Sequence, residues 1–181
     1  MRAFVAIDLP DELKQRLSGL RQLLDRGEPL AWIKPTGFHL TLHFLGEIEK
    51  TDIERVSNCM RVAAAGLGSF ELVMAGLNAF PNLRAPKVVW AGVQDPTGKL
   101  DKLQKKLQGE LESKGFRREN NFVPHVTIAR VKGSPVRATV KAIKSTKLEE
   151  SVFWVNEIVL MQSKLEPGGS VYSRLVPVNL S

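Results

Sequence analysis

"FHLTLHFLGE", residues 38–47, sets the fold, because its centre "HLTL" (39–42) returns once more as "HVTI" (125–128). The chain has three histidines, and two of them open the same pattern of His, apolar, Thr, apolar. Such alternation has the period of a β-strand, in which successive side chains point to opposite faces. In the first copy His39 and Thr41 therefore share one face, while Leu40 and Leu42 enter a core. His125, Thr127, Val126 and Ile128 repeat the scheme. Each copy offers an imidazole beside a hydroxyl.

Working outward, the two histidines lie 86 residues apart, and Pro10 and Pro96 are separated by the same interval. In that register "AFVAIDLP" lies on "VVWAGVQDP" to within a residue and Leu17 lies on Leu103, with no gap between. A looser match sets Phe70 on Phe153 and Leu77 on Leu160. The order strand, turn, helix, motif strand is thus expected twice, which reads as an internal duplication within one domain, residues 1–181. Two copies packed about a pseudo-two-fold axis would set the motif strands face to face across a shared cleft.

The rest of the chain alternates short strands with amphipathic helices. "RAFVAIDL" predicts a strand, and Pro10, Asp11 and Glu12 open a helix with Leu13, Leu17, Leu20 and Leu24 on one face, stopped near Gly27. Thr51 and Glu54 have capping-box spacing ahead of a helix with Val56, Met60, Ala63 and Leu67 on its apolar side. "FELVMAGLNAF" and "KVVWAGV" predict strands separated by a Pro-rich turn. A helix from Thr97 to about Lys114 turns Leu100, Leu103, Leu107 and Leu111 inward. "FVPHVTIARV", a basic helix around "RATVKAIKSTK", a strand "SVFWVNEIVLMQ" and a last strand "VYSRLVPVNL" complete the reading.

With 43% hydrophobic and 25% charged residues, the composition is that of an ordinary globular protein. One cysteine, Cys59, excludes an internal disulfide and a thiolate metal cluster, and it fits a reducing cytoplasm, the expected location. The opening "MRAFVAIDLP" lacks the length and cleavage site of a signal peptide, and no apolar stretch approaches membrane-spanning length. A net charge of +7 makes a polyanion the expected partner. Between Glu119 and Glu149 no acidic residue occurs, whereas Arg130, Lys132, Arg137, Lys141, Lys144 and Lys147 do, so phosphate binding is expected there.

Three chemistries compete for two imidazoles and two hydroxyls. As metal ligands, His39 and His43 share a strand face but stand about 13 Å apart at roughly 3.3 Å per residue, too far for one ion. Nucleophilic catalysis lacks a base with an orienting carboxylate beside either threonine. Paired acid and base catalysis fits, because an imidazole with pKa near 6.5 can be neutral or protonated near neutral pH. In-line displacement at phosphorus gives the symmetry a purpose: attacking and leaving oxygens lie on opposite sides of the phosphorus, where a base and an acid on opposite walls would stand. The threonine hydroxyls then serve the non-bridging oxygens. No metal or other cofactor is expected.

"HLTL" and "HVTI", together with "MRAFVAIDLP", "PKVVWAGV", "NFVPHVTIARVK" and "SKLEPGGSVY", resemble the two-histidine phosphoesterases, and among them the RNA 2',3'-cyclic phosphodiesterases, also called 2'-5' RNA ligases. The likeness spans nearly the whole chain. It implies an α+β, bilobal, pseudo-two-fold fold with two antiparallel sheets lining a central cleft and helices outside, one lobe holding both chain ends and the other the middle. It implies hydrolysis of an RNA 2',3'-cyclic phosphate to a 2'-phosphomonoester, with reversible 2'-5' joining described for relatives. Carried over by motif, His39 would donate a proton to the leaving 3' oxygen, His125 would accept one from water, and Thr41 and Thr127 would hold the phosphate. Arg130 matches the family's "TxxR" ending and Phe44 is its repeat mate; both would flank the nucleobase, which requires a bend or bulge, since residues five apart on a regular strand face opposite ways. Tyr172 and Ser163 fit the closing "SxL...GxxY" pattern, with Tyr172 expected at the substrate site.

Many relatives carry Lys where His43 stands and Arg where Asn120 stands, which bears on substrate preference rather than on the reaction. His43 is read as a surface residue on the face of His39. The expected partner is RNA carrying a 2',3'-cyclic phosphate or a 2'-5' linkage, with no membrane and no obligate protein partner. A non-catalytic RNA-binding module and a 2'-5' oligonucleotide phosphodiesterase on the same scaffold are the alternatives.

Overall fold

A computed structural model describes residues 1–134, 136–167 and 169–181. Among the described residues, nine strands and four helices alternate along the chain: β1 (Arg2–Asp8), α1 (Asp11–Leu24), β2 (Leu30–Trp32), β3 (His39–Glu47), α2 (Asp52–Ala64), β4 (Phe70–Phe80), β5 (Val88–Gln94), α3 (Lys99–Ser113), β6 (His125–Val131), α4 (Arg137–Ser145), β7 (Ser151–Val155), β8 (Glu157–Glu166) and β9 (Gly169–Asn179). A 3-10 turn, Pro35–Gly37, leads into β3.

The strands pair antiparallel, in the order β7-β4-β5-β6-β3-β1-β8-β9, with β2 also paired to β6. The expected two sheets are two halves of this one sheet. They meet between β3 and β6 at one residue pair, Leu40 opposite Val126. One half holds β3, β1, β8 and β9, from the two ends of the chain; the other holds β6, β5, β4 and β7, from its middle. Two of the helices, α1 and α3, are exchanged between the halves. α1 packs with α4, which lies on β4, whereas α2 and α3 pack together on β3, β8 and β9.

The leucine stripes place the helices as the periodicity predicts. Leu13, Leu17, Leu20 and Leu24 of α1 and Leu100, Leu103, Leu107 and Leu111 of α3 are buried in the main core with Leu40, Leu42, Val126 and Ile128. A second, small apolar cluster, Phe4, Ala6, Val159 and Met161, sits apart from that core with Tyr172 packed on it. No helix among the described residues is long and apolar enough to cross a membrane.

Several details depart from the sequence reading. Thr51 already has helical backbone angles, so its hydroxyl caps nothing and instead donates to the Glu49 carboxylate. The Asp52 carboxylate takes the Glu49 N–H, and no capping box forms. "SVFWVNEIVLMQ" is two strands, because the chain leaves one half of the sheet at Asn156 and enters the other: β7 pairs with β4, and β8 with β1. The 86-residue register holds for the motif strands. In the ladders, however, Ala6 faces Thr41 and Trp90 faces Thr127, so β1 and β5 correspond at an interval of 84, and the longer turn before α3 absorbs the difference.

Candidate functional site

Matching bulges shape the two motif strands. Along β3, Ala6 lies opposite Thr41 and Val5 opposite His43, which leaves Leu42 as an extra residue. Along β6, Trp90 lies opposite Thr127 and Val89 opposite Ala129, which leaves Ile128 extra. An extra residue reverses the alternation beyond it. Leu42 and His43 are therefore both buried, as are Ile128 and Ala129, and Phe44 and Arg130 come round to the face of the histidines. The bulge required to bring Phe44 and Arg130 to that face is present in each strand. It also corrects the reading of His43, which is 0% exposed and not a surface residue. His43 and His39 thus lie on opposite faces, so the 13 Å same-face separation does not describe them.

His39, Thr41, His125, Thr127, Phe44, Arg130 and Tyr172 line one cavity of about 420 Å³, and Ser163 is on its wall. The structure thus brings together every candidate site residue. Arg2, Gly37 and Ser170 line it as well and were not singled out from the sequence. Arg2 had a signal available: it alternates with Phe4 and Ala6, so it belongs to the cleft face of β1.

Each imidazole is held from below and behind. The His39 ring lies 4.7 Å from that of Phe4 and meets the Tyr172 ring edge-on at 4.9 Å. The His125 ring meets Phe80 edge-on at 4.9 Å and lies 5.9 Å from Trp90. Nδ1–H of His125 donates to the Val123 carbonyl at 2.7 Å, leaving Nε2 for the cleft. The Gly37 backbone, also two residues before its histidine, favours the protonated His39 ring. Gly37 has a steric reason as well, since a Cβ there would stand 2.9 Å from the Ile33 side chain and 3.1 Å from the Tyr172 ring. Gly92, opposite His125, would drive a Cβ to 2.6 Å from the Ala75 carbonyl oxygen.

Burial pushes the His39 imidazole down to about 4, with Asp8 and the Gly37 backbone pulling upward and Lys14 and His125 pushing further down. His125 is lowered too, first by burial, then by Arg130, against its Val123 hydrogen bond. Asp8, opposite His39 in the ladder, is bound by Lys14 at 2.7 Å and Arg174 at 3.2 Å. The charged neighbours are thus unequal: a carboxylate paired with a lysine near His39, a guanidinium near His125.

Among the six basic residues expected to bind phosphate, Arg130 alone lines this cavity. Arg137, Lys141 and Lys144 belong to α4, which packs with α1. Its N-terminus is capped by Glu28, whose carboxylate accepts from the N–H groups of Ala138 and Thr139 at 3.0 and 2.7 Å. Among the described residues no three His, Cys, Asp or Glu side chains form a metal-binding group.

Known proteins with this sequence and shape agree with one another. Proteins named RNA 2',3'-cyclic phosphodiesterase from Methanothermobacter thermautotrophicus and Thermotoga maritima are 34% and 35% identical to the chain. The alignments cover 96% and 97% of this chain and 95% and 93% of those proteins. A crystal structure of a Thermus thermophilus protein superposes with a TM-score of 0.81 at 25% identity, covering 99% of this chain and 98% of that one. Escherichia coli LigT complexed with 3'-AMP gives 0.79 at 25% identity with the same coverage. The sequence model of the 2'-5' RNA ligase superfamily matches residues 8–166, a span that includes both histidine motifs and the strands that carry them, and the chain belongs to that superfamily.

Proposed function

We propose that the protein hydrolyses RNA 2',3'-cyclic phosphates to 2'-phosphomonoesters by paired-histidine acid and base catalysis, as the names of its relatives suggest. One observation carries the reading: two imidazoles, that of His125 anchored through Nδ1 to the Val123 carbonyl, share a single cavity with two threonine hydroxyls. His125 takes a proton from water as the water oxygen bonds to phosphorus. The bond from phosphorus to O3' breaks, and His39 gives its proton to O3'. Thr41 and Thr127 donate to the non-bridging oxygens, and Phe44 and Arg130 take the nucleobase between them. Tyr172, edge-on to His39, holds the donor ring and borders the substrate.

The charges around the two rings differ, and burial outweighs them at both. Asp8 favours a protonated His39, and Arg130 favours a neutral His125. Burial opposes protonation of both, and a bound phosphodiester supplies the negative charge that reverses it, since an opposite charge within a few ångströms raises an imidazole pKa. No metal takes part in this scheme, and one chain supplies both histidines, so no obligate protein partner is needed. The motif copies 39–42 and 125–128 are read as the products of duplication within one unit, residues 1–181. The lone, buried thiol of Cys59 suits a reducing cytoplasm.

Product analysis tests the reading. An RNA ending in a 2',3'-cyclic phosphate, incubated with the protein in EDTA, should yield the 2'-phosphate, and His39→Ala or His125→Ala should lower turnover by about 10²- to 10⁴-fold. A 3'-phosphate product, or undiminished turnover in either variant, refutes it. Salt-sensitive RNA affinity without turnover would favour the binding module. Cleavage of 2'-5' oligomers in preference to cyclic ends would favour the alternative phosphodiesterase.

A further inference from the structure

Among the described residues, two arginines line the catalytic cavity, Arg2 and Arg130, and no carboxylate does. The proposed reaction gives Arg130 to the nucleobase and the reacting phosphate to the histidines and threonines, so Arg2 has no part in it. Ala6, Phe4 and Arg2 follow one another at two-residue intervals on the cleft face of β1, and Arg2 is exposed at its start. In the ladder to β3, Ala6 stands opposite Thr41 and Phe4 opposite Phe44. The first of these levels is that of the phosphate, the second that of the base. Arg2 lies one step further, about 7 Å along the strand at roughly 3.3 Å per residue.

On its other side Arg2 faces Ser163 of β8, and Ser163 faces Tyr172 of β9. A guanidinium, a hydroxyl and a phenol therefore form a row of donors across three strands. We infer that Arg2, with Ser163 and Tyr172, binds the phosphodiester on the 5' oxygen of the terminal ribose, an inference that rests on the reaction proposed above. The site would thus select a cyclic end carried on an RNA strand over a free nucleoside cyclic phosphate.

The chemistry of the row suits that anion. A guanidinium presents a planar fork to two phosphate oxygens, and hydroxyls beside it donate to the same group. Among the described residues Arg2 pairs with no carboxylate; Glu47, opposite it in the ladder, lies 3.2 Å from the Met1 ammonium instead. The cation is also one-sided. At the interval of 84 that relates β1 to β5, Arg2 corresponds to Pro86, so the pseudo-symmetry offers no second guanidinium at that level. The strand's next phosphate is therefore drawn toward β1, β8 and β9, which fixes the direction in which the RNA leaves the cleft.

Three substrates test this: uridine 2',3'-cyclic phosphate, the dinucleotide that adds a second uridine through a phosphodiester at its 5' oxygen, and that dinucleotide with a methylphosphonate linkage, which removes the charge. Steady-state hydrolysis is measured for the wild type, Arg2→Ala and Arg2→Lys. The wild type should prefer the dinucleotide to the nucleoside by about tenfold or more in kcat/KM, mostly through KM, and the methylphosphonate should abolish the preference. Arg2→Ala should lose the preference and become insensitive to the methylphosphonate, so that the two changes do not add. Arg2→Lys, which keeps the charge, should restore part of it, and added salt should shrink it. A wild type without preference, an equal loss on nucleoside and dinucleotide in Arg2→Ala, or a methylphosphonate penalty of the same size in both proteins overturns the inference. A wild type that hydrolyses none of the three would refute the proposed reaction itself. In that case calorimetry with the dinucleotide 2'-phosphate decides the subsite: affinity about tenfold weaker in Arg2→Ala supports it, and unchanged affinity overturns it.

Discussion

His39 should titrate far from an ordinary histidine, and should return toward ordinary behaviour when a phosphate enters the cleft. Burial takes its pKa from 6.5 to about 4 in the folded protein. At 1.36 kcal/mol for each factor of ten, folding favours the neutral ring by about 3 kcal/mol. Between pH 6.5 and 4 the unfolded chain binds a proton that the folded chain refuses, so stability is whole above 6.5 and declines as the pH falls toward 4. His43 and His125 are lowered for the same reason and add to the decline. The assay is NMR of the imidazole C2–H groups across pH 3 to 9. With three histidines in the chain, His39→Gln, His43→Gln and His125→Gln assign every resonance. In the free protein the His39 midpoint should lie near 4, and a saturating nucleoside 2'-phosphate should raise it. His39→Gln should also shrink the difference in unfolding free energy between pH 7 and pH 4 by about 3 kcal/mol. A His39 midpoint near 6.5 without ligand, or one that ligand leaves in place, would refute the account of how the donor is poised.

Thr41→Val and Thr127→Val remove one hydroxyl each at nearly constant volume, and each should lower kcat/KM by about 10²-fold, the usual cost of one lost donor to a developing oxyanion. Melting temperatures should hardly move, because both hydroxyls face the cleft. Glu28→Ala leaves the Ala138 and Thr139 N–H groups without their acceptor and should cost about 0.5–2 kcal/mol, the range for a lost helix cap. Urea unfolding measures that loss, and cyclic-phosphate hydrolysis should persist.

Much of the architecture is legible in the residues because it rests on period. Two-residue alternation marks "HLTL" and "HVTI" as strands with the imidazoles outward, and the leucine stripes mark α1 and α3, since burial of one face needs nothing beyond the local sequence. His39, Thr41, His125 and Thr127 lie around one cavity for the same reason, whereas Phe44 and Arg130 reach it through the bulges. What stayed hidden depends on pairing between distant segments. The extra residue at Leu42 has no local mark, so strict alternation put His43 on the surface when the ladder to β1 sends it inside. The break at Asn156 is equally silent, because apolar residues stand on both sides of it and only their partners, β4 and β1, differ.

The exchange of helices between the two halves of the sheet bears on how wide the cleft can open. With the single pairing of Leu40 and Val126 joining β3 to β6, the halves would be free to swing like the covers of a book. Yet the chain leaves β1 in one half to place α1 with α4 over the other, and leaves β5 to place α3 with α2 over the first. These crossings lace the covers shut along the spine. The spacing of the imidazoles is thereby gauged before any RNA arrives, and a phosphorus centre of the right size meets a calliper already set.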